Sequence, residues 1–246
     1  MLTLHDVEVV SLALAAAFFF ASSNVLEQRA ARSAPADQVM RPGLIAYLAR
    51  QRRWLLGIVV DVSGYVCQAA ALGIGLLIVV QPILATGLLF SLLIDVATSD
   101  RRLHMREWVT AALLASALGL FLSESSPGGG AEQAAWSDWV LPLAILSTFI
   151  VLCVIVGMRS SGAVRASLLA LAAGTMFGVT APFTKAFVHL LPHGPGTVLT
   201  HWEPYGLAVF SISGFIVMQS AFQAGELQAS VPFLETAEPV VASIIG

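Results

Sequence analysis

Long apolar runs, broken by short polar or breaker-rich segments, organise this chain. A helix rises about 1.5 Å per residue, so about 20 apolar residues cross the roughly 30 Å hydrocarbon core of a bilayer. Runs of this kind occur at 7–26, 54–73, 76–96, 107–123, 137–157, 166–187, 203–222 and 227–246, and each predicts a spanning helix. The run at 107–123 is the shortest. The connections carry loop chemistry: residues 127–130 read PGGG and 192–196 read PHGPG. The first run is not a cleavable signal peptide, because no Lys or Arg precedes it and Arg29 and Arg32 follow it.

Composition removes the soluble alternative. Of the 246 residues, 57% are hydrophobic and only 11% are charged. Soluble domains carry roughly 25% charged residues, so this chain cannot cover a soluble surface. The expected fold class is all-α, a polytopic membrane helix bundle whose first partner is the lipid bilayer. Cys67 and Cys153 both lie inside apolar runs and imply neither a disulfide framework nor a metal site.

Cytoplasmic loops collect Lys and Arg. Arg29, Arg32, Arg41, Arg50, Arg52, Arg53, Arg101, Arg102, Arg106, Arg159 and Arg165 fall on one side if the N-terminus is outside. Lys185 alone lies toward the other side, with the acidic segment around Glu124 and Glu132. The expected location is the cell membrane, plasma or inner, with the N-terminus outside. Trp54, Trp108, Trp136, Trp139 and Trp202 all fall at span ends, where interfacial aromatic residues belong.

The chain also repeats. Displaced by 150 positions, Ser63, Gly64, Ala71, Gly75, Leu77, Pro82, Leu84 and Thr86 fall on Ser213, Gly214, Ala221, Gly225, Leu227, Pro232, Leu234 and Thr236, eight identities in 24 gapless positions. The span 166–187 resembles 7–26 more weakly, with Phe177 against Phe20. The expected organisation is a first repeat of four helices (1–123), a linking helix (137–157) and a second repeat of three helices (166–246). Alternation of the spans inverts the second repeat relative to the first. The partner of the fourth span would fall just past Gly246, so the last helix is expected to be missing. Inverted repeats are typical of secondary transporters, whose two halves exchange conformations to open a central site to either side.

The stretches GYVCQAAALGIGLLIVVQPILATGLLF (64–90), REWVTAALLASALGLFL (106–122) and SAFQAGELQASVPFLETAEPVVASIIG (220–246) resemble the drug/metabolite transporter superfamily, in its EamA-like branch. The lack of a span between residues 27 and 53 is closer to the nine-helix NIPA-type magnesium transporters of the same superfamily. The resemblance implies a secondary transporter of small metabolites or drugs, possible proton coupling included. Its alternative is a divalent cation transporter of the NIPA type.

Ionisable groups inside a span cost a few kcal/mol on insertion scales and therefore stand as functional candidates. Counted from Glu226, Glu235 and Glu238 lie about 14 and 18 Å along the last span, near the bilayer's middle. Their i, i+3 spacing puts them on one face. Two carboxylates there cannot both stay charged and unpaired, so a proton, a cation or water is expected beside them. Asp61 lies about 10 Å into the second span; its repeat mate is Ser211, so its charge is no symmetric scaffold feature. Gln81 precedes Pro82 and directs polar chemistry to the middle of the third span. Pro82, Pro232 and Pro239 are expected to break helices or free carbonyls toward a cavity. Gln68, Gln219 and Gln223 are read as helix-to-helix hydrogen bonders. Glu235, Glu238, Asp61 and Gln81 are thus the candidate sites for a small-molecule or ion substrate or a coupling ion. No catalytic residue, resident metal, cofactor or nucleic-acid partner is expected: there is no P-loop, and Pro192 breaks the His189–His193 pair.

Overall fold

The computed structural model describes residues 4–35, 40, 42–98, 105, 109, 113 and 136–245. Apart from positions 109 and 113, the expected span 107–123 lies outside the described residues, as do Glu124 and Glu132. Among the described residues there are ten α-helices and no strand. They are α1 (Leu4–Ala31), α2 (Pro42–Leu48), α3 (Arg52–Ile74), α4 (Leu77–Leu84), α5 (Gly87–Thr98), α6 (Trp136–Arg159), α7 (Gly162–Leu190), α8 (Pro195–Thr200), α9 (Glu203–Ala224) and α10 (Leu227–Ile245).

Among the described residues, six segments are long and apolar enough to cross a membrane: α1, α3, α4 with α5, α6, α7 with the 3₁₀ turn after it, and α9. Gln228, Glu235 and Glu238 make α10 less apolar than these. Val59, Val62 and Val66 on α3, Leu141, Ile145 and Leu152 on α6, and Val209 and Ile212 on α9 are all exposed. So much apolar surface facing outward suits lipid and not water. The chain is a multi-pass membrane protein. At the centre stands α7, most of which is buried, whereas α6 at the rim is mostly exposed.

Small residues set the spacing, since without a strong hydrophobic drive inside lipid, helices associate by close packing. A Cβ on Gly64 would lie 3.0 Å from the Phe20 ring, and one on Gly75 2.7 Å from Val9 Cγ1. With Gly57 set against Glu27 further along, α3 runs antiparallel to α1. The same contacts recur later: Gly214 faces Phe177 at 3.1 Å and Gly225 faces Ala166 at 2.6 Å, so α9 runs antiparallel to α7. Gly174 abuts Leu234 and Gly178 abuts Glu238, so α10 lies parallel to α7. Between these groups, Tyr65 meets Thr184 through their hydroxyls at 3.2 Å, and Gly73 meets Val188. Those two contacts make α3 parallel to α7, and hence α7 antiparallel to α1.

Three expected features differ. α1 continues five residues past Leu26, to Ala31, because its C-terminal turns are buried inside the bundle rather than released to water. The Arg-rich connection also contains α2, whose Leu44 and Leu48 are buried against the end of α1 and Trp54. The third span is two helices, interrupted at Ala85–Thr86, three residues beyond Pro82. In contrast, α10 runs through Pro232 and Pro239 without a break. Neither proline interrupts it; each removes one backbone donor, because packing on α7 holds the helix across the gap.

Candidate functional site

Four carboxylates collect where α1, α3, α9 and α10 meet, and each accepts one hydrogen bond from a neutral side chain. Asn24 Nδ2 donates to Glu235 Oε1 at 2.7 Å, and Gln68 Nε2 donates to Glu238 Oε1 at 3.3 Å. Ser23 Oγ donates to Asp61 Oδ1 at 3.2 Å. Gln219 Nε2 donates to Glu27 Oε2, while Trp54 Nε1 donates to Gln219 Oε1 at 3.1 Å. No ion pair joins any of the four to a Lys or Arg among the described residues; Arg32 pairs with Glu226, at 3.8 Å on the surface.

The carboxylates act on one another as well. Asp61 lies within Coulombic range of Glu27, Glu235 and Glu238, and Glu235 within range of Glu238. Charges in a low-dielectric interior interact several times more strongly than in water. Glu235, Glu238 and Asp61 are half-buried, whereas Glu27 is fully buried. A Cβ on Gly87 would sit 2.7 Å from Glu235 Oε2, so this carboxylate reaches the first residue of α5. The break at Ala85–Thr86 thereby turns the positive end of a helix dipole toward an acid.

Helix periodicity delivers these groups. On α1 the buried positions Ala13, Ala17, Ala21, Asn24 and Gln28 follow the i, i+3/i+4 stripe that faces the bundle. Polar residues simply replace alanine in its last turns. On α10, Glu235 and Glu238 share one side, and their donors come from α1 and α3 respectively.

The structure brings Glu235, Glu238 and Asp61 into one region, each within electrostatic reach of the others. Gln81 stands apart from them. It is fully buried on α4, none of the four acids is hydrogen-bonded to it, and neither its Nε2 nor its Oε1 has a partner. Pro82 lies one residue further on, and Pro232 and Pro239 flank the two glutamates on α10. Among the described residues, no three His, Cys, Asp or Glu groups are placed to hold a metal ion. Glu27 is missed because the first span is ended at Leu26, and Ser23 and Asn24, inside that span, carry no charge to single them out. Trp54, expected at the membrane interface, is buried and serves Gln219. The signal for Glu27 is its i+3 spacing from Asn24 on the stripe that α1 buries.

Fold and site together define a polytopic helical membrane protein with a carboxylate-bearing polar centre between two groups of helices. Over 242 residues the chain is 33% identical to an uncharacterized protein of Corynebacterium glutamicum, covering 96% of this chain and 82% of that one. It belongs to the family of that corynebacterial protein. No family model matches the sequence, and no solved structure matches it significantly.

Proposed function

We propose that this chain is a secondary transporter of small metabolites or drugs, working by alternating access of two inverted repeats. The observation that carries this reading is the way three of the four acids are held: Glu27, Glu235 and Glu238 each take their donor from the opposite helix group. A site held across two groups opens when the groups move apart, which is what alternating access requires.

Paired contacts support the repeat. Shifting α3–α5 by 150 positions and α1 by 157 turns Gly64–Phe20 into Gly214–Phe177, Gly75–Val9 into Gly225–Ala166, and Gly87–Ala17 into Ala237–Gly174. Both members of each of these pairs are in contact, tightly except for Gly87–Ala17 at 3.5 Å. The antiparallel course of α1 and α7 is the inversion this scheme needs. The resemblance to EamA-like drug/metabolite transporters points the same way. With eleven of its twelve Lys and Arg residues assigned to the cytoplasm, the N-terminus lies outside the cell membrane.

The test is uptake by proteoliposomes containing the purified chain, with a panel of organic amines, acids and neutral solutes run against Mg²⁺, with and without a pH gradient. Uptake of an organic solute that saturates and is lost in Asp61→Asn supports the reading. Uptake of Mg²⁺ alone, or of nothing in the panel, overturns it.

A further inference from the structure

We propose that Glu27 is a proton-binding site, taking its proton on Oε1, and that this proton fastens the two helix groups together. Glu27 has no solvent exposure, and its Oε1 has no hydrogen-bond partner. Its Oε2 accepts from Gln219, and no cation pairs with it among the described residues. A buried carboxylate with an idle oxygen and no counter-charge is costlier to keep than the neutral acid. A metal ion does not fit the need. The acid is hemmed in by Gly57, where a Cβ would lie 2.7 Å from Glu27 Cγ, and among the described residues no three His, Cys, Asp or Glu groups are placed to hold a metal ion. A proton is the cation small enough for this space.

The surroundings give the proton a route and a consequence. On α3, Asp61 is the titratable group whose charge reaches Glu27, and it is half-exposed. From α9 comes the neutral Gln219, and α10 brings Glu235 against Asn24, one turn before Glu27. The proton therefore leaves Oε1 for the Asp61 carboxylate and passes from there to water. Gln219 bridges Glu27 on α1 and Trp54 on α3, so a single amide ties α9 to both helices. With the proton gone, Glu27 is a bare buried charge with an idle oxygen, and water drawn in to serve Oε1 enters beside Gln219 and parts the bridge.

The experiment uses the full chain in lipid nanodiscs and needs no transported solute, so its failure is separable from failure of the transport reading. Infrared difference spectra between acidic and alkaline pH follow the carboxylic-acid C=O band, and Trp fluorescence follows burial of Trp54. The wild type should show a pH-dependent acid band and a red shift of emission on the alkaline side. Glu27→Gln, which mimics the neutral acid in shape and hydrogen bonding, should lose that band and hold its emission constant. Glu27→Asp should keep a band at a displaced frequency. An unchanged band in either variant overturns the assignment.

Discussion

Replacing Gly174 by alanine tests whether close backbone contact between α7 and α10 holds the acid-bearing helix in place. A Cβ at position 174 would lie 2.5 Å from the Leu234 carbonyl oxygen, 3.1 Å from Leu234 Cα and 3.0 Å from Ala237 Cβ. Ordinary contact begins at 3.4 Å, so α10 must withdraw by about 0.9 Å. Two of the three atoms are backbone, and no rotamer change can relieve them. Overpacking costs about 1–3 kcal/mol, and rigid neighbours put this case at the upper end. Alanine returns about 1 kcal/mol of helix propensity. The net expected loss is about 2 kcal/mol. The assay is unfolding in mixed micelles as SDS is raised, with Gly196→Ala on α8 as control, since a Cβ there meets nothing within 4 Å. If Gly174→Ala loses no more stability than Gly196→Ala, the close-packing argument is wrong.

Three further outcomes are expected. Glu238→Gln keeps an acceptor for Gln68, so it should fold and resist SDS like the wild type while losing solute uptake in proteoliposomes; full uptake with unchanged pH dependence would remove Glu238 from the mechanism. Trp54→Phe leaves the buried Gln219 Oε1 without its donor and should cost about 1–3 kcal/mol in the same unfolding assay; no loss would mean the bridge contributes nothing. For topology, a cysteine at position 5 should react with an impermeant maleimide on intact cells and one at position 40 only after permeabilisation; the opposite pattern reverses the orientation.

How much the sequence reveals depends on the distance over which the physics acts. Span existence is a local property, since about 20 apolar residues suffice, and α3, α6, α7 and α9 start and stop within a few residues of their expected ends. The ends of α1 were harder to read, because Asn24, Glu27 and Gln28 look like the polar end of a span when only hydropathy is weighed. They remain helical inside the bundle because partners on α9, on α10 and at Gly225 between them, some 200 positions away, satisfy them. The acids of α10 were legible from rarity alone: a carboxylate deep in a span stands out whatever surrounds it. Their donors were not, because an Asn or Gln in an apolar helix carries no mark of what it will face. Gln81 shows the limit of reading by type: it is a buried glutamine like Gln68, yet Gln68 donates to Glu238 while Gln81 has no hydrogen-bond partner.

That division explains why α10 is tolerable as a membrane helix at all. Placed alone in lipid, Glu235 and Glu238 would each carry a cost of a few kcal/mol on insertion scales. In the bundle neither is served by its neighbours α7 and α9. Asn24 and Gln68 come from α1 and α3, and Gly87 brings the end of α5 to Glu235. The stability of α10 is therefore borrowed across the interface between the two helix groups. Any motion that separates the groups strips both acids of their donors at once. They must then meet water, a proton or a charged cargo, because no Lys or Arg among the described residues is paired with them. Under the proposed transport cycle, this links conformation to binding without a dedicated relay: whatever satisfies the acids in the open state sets how readily that state forms.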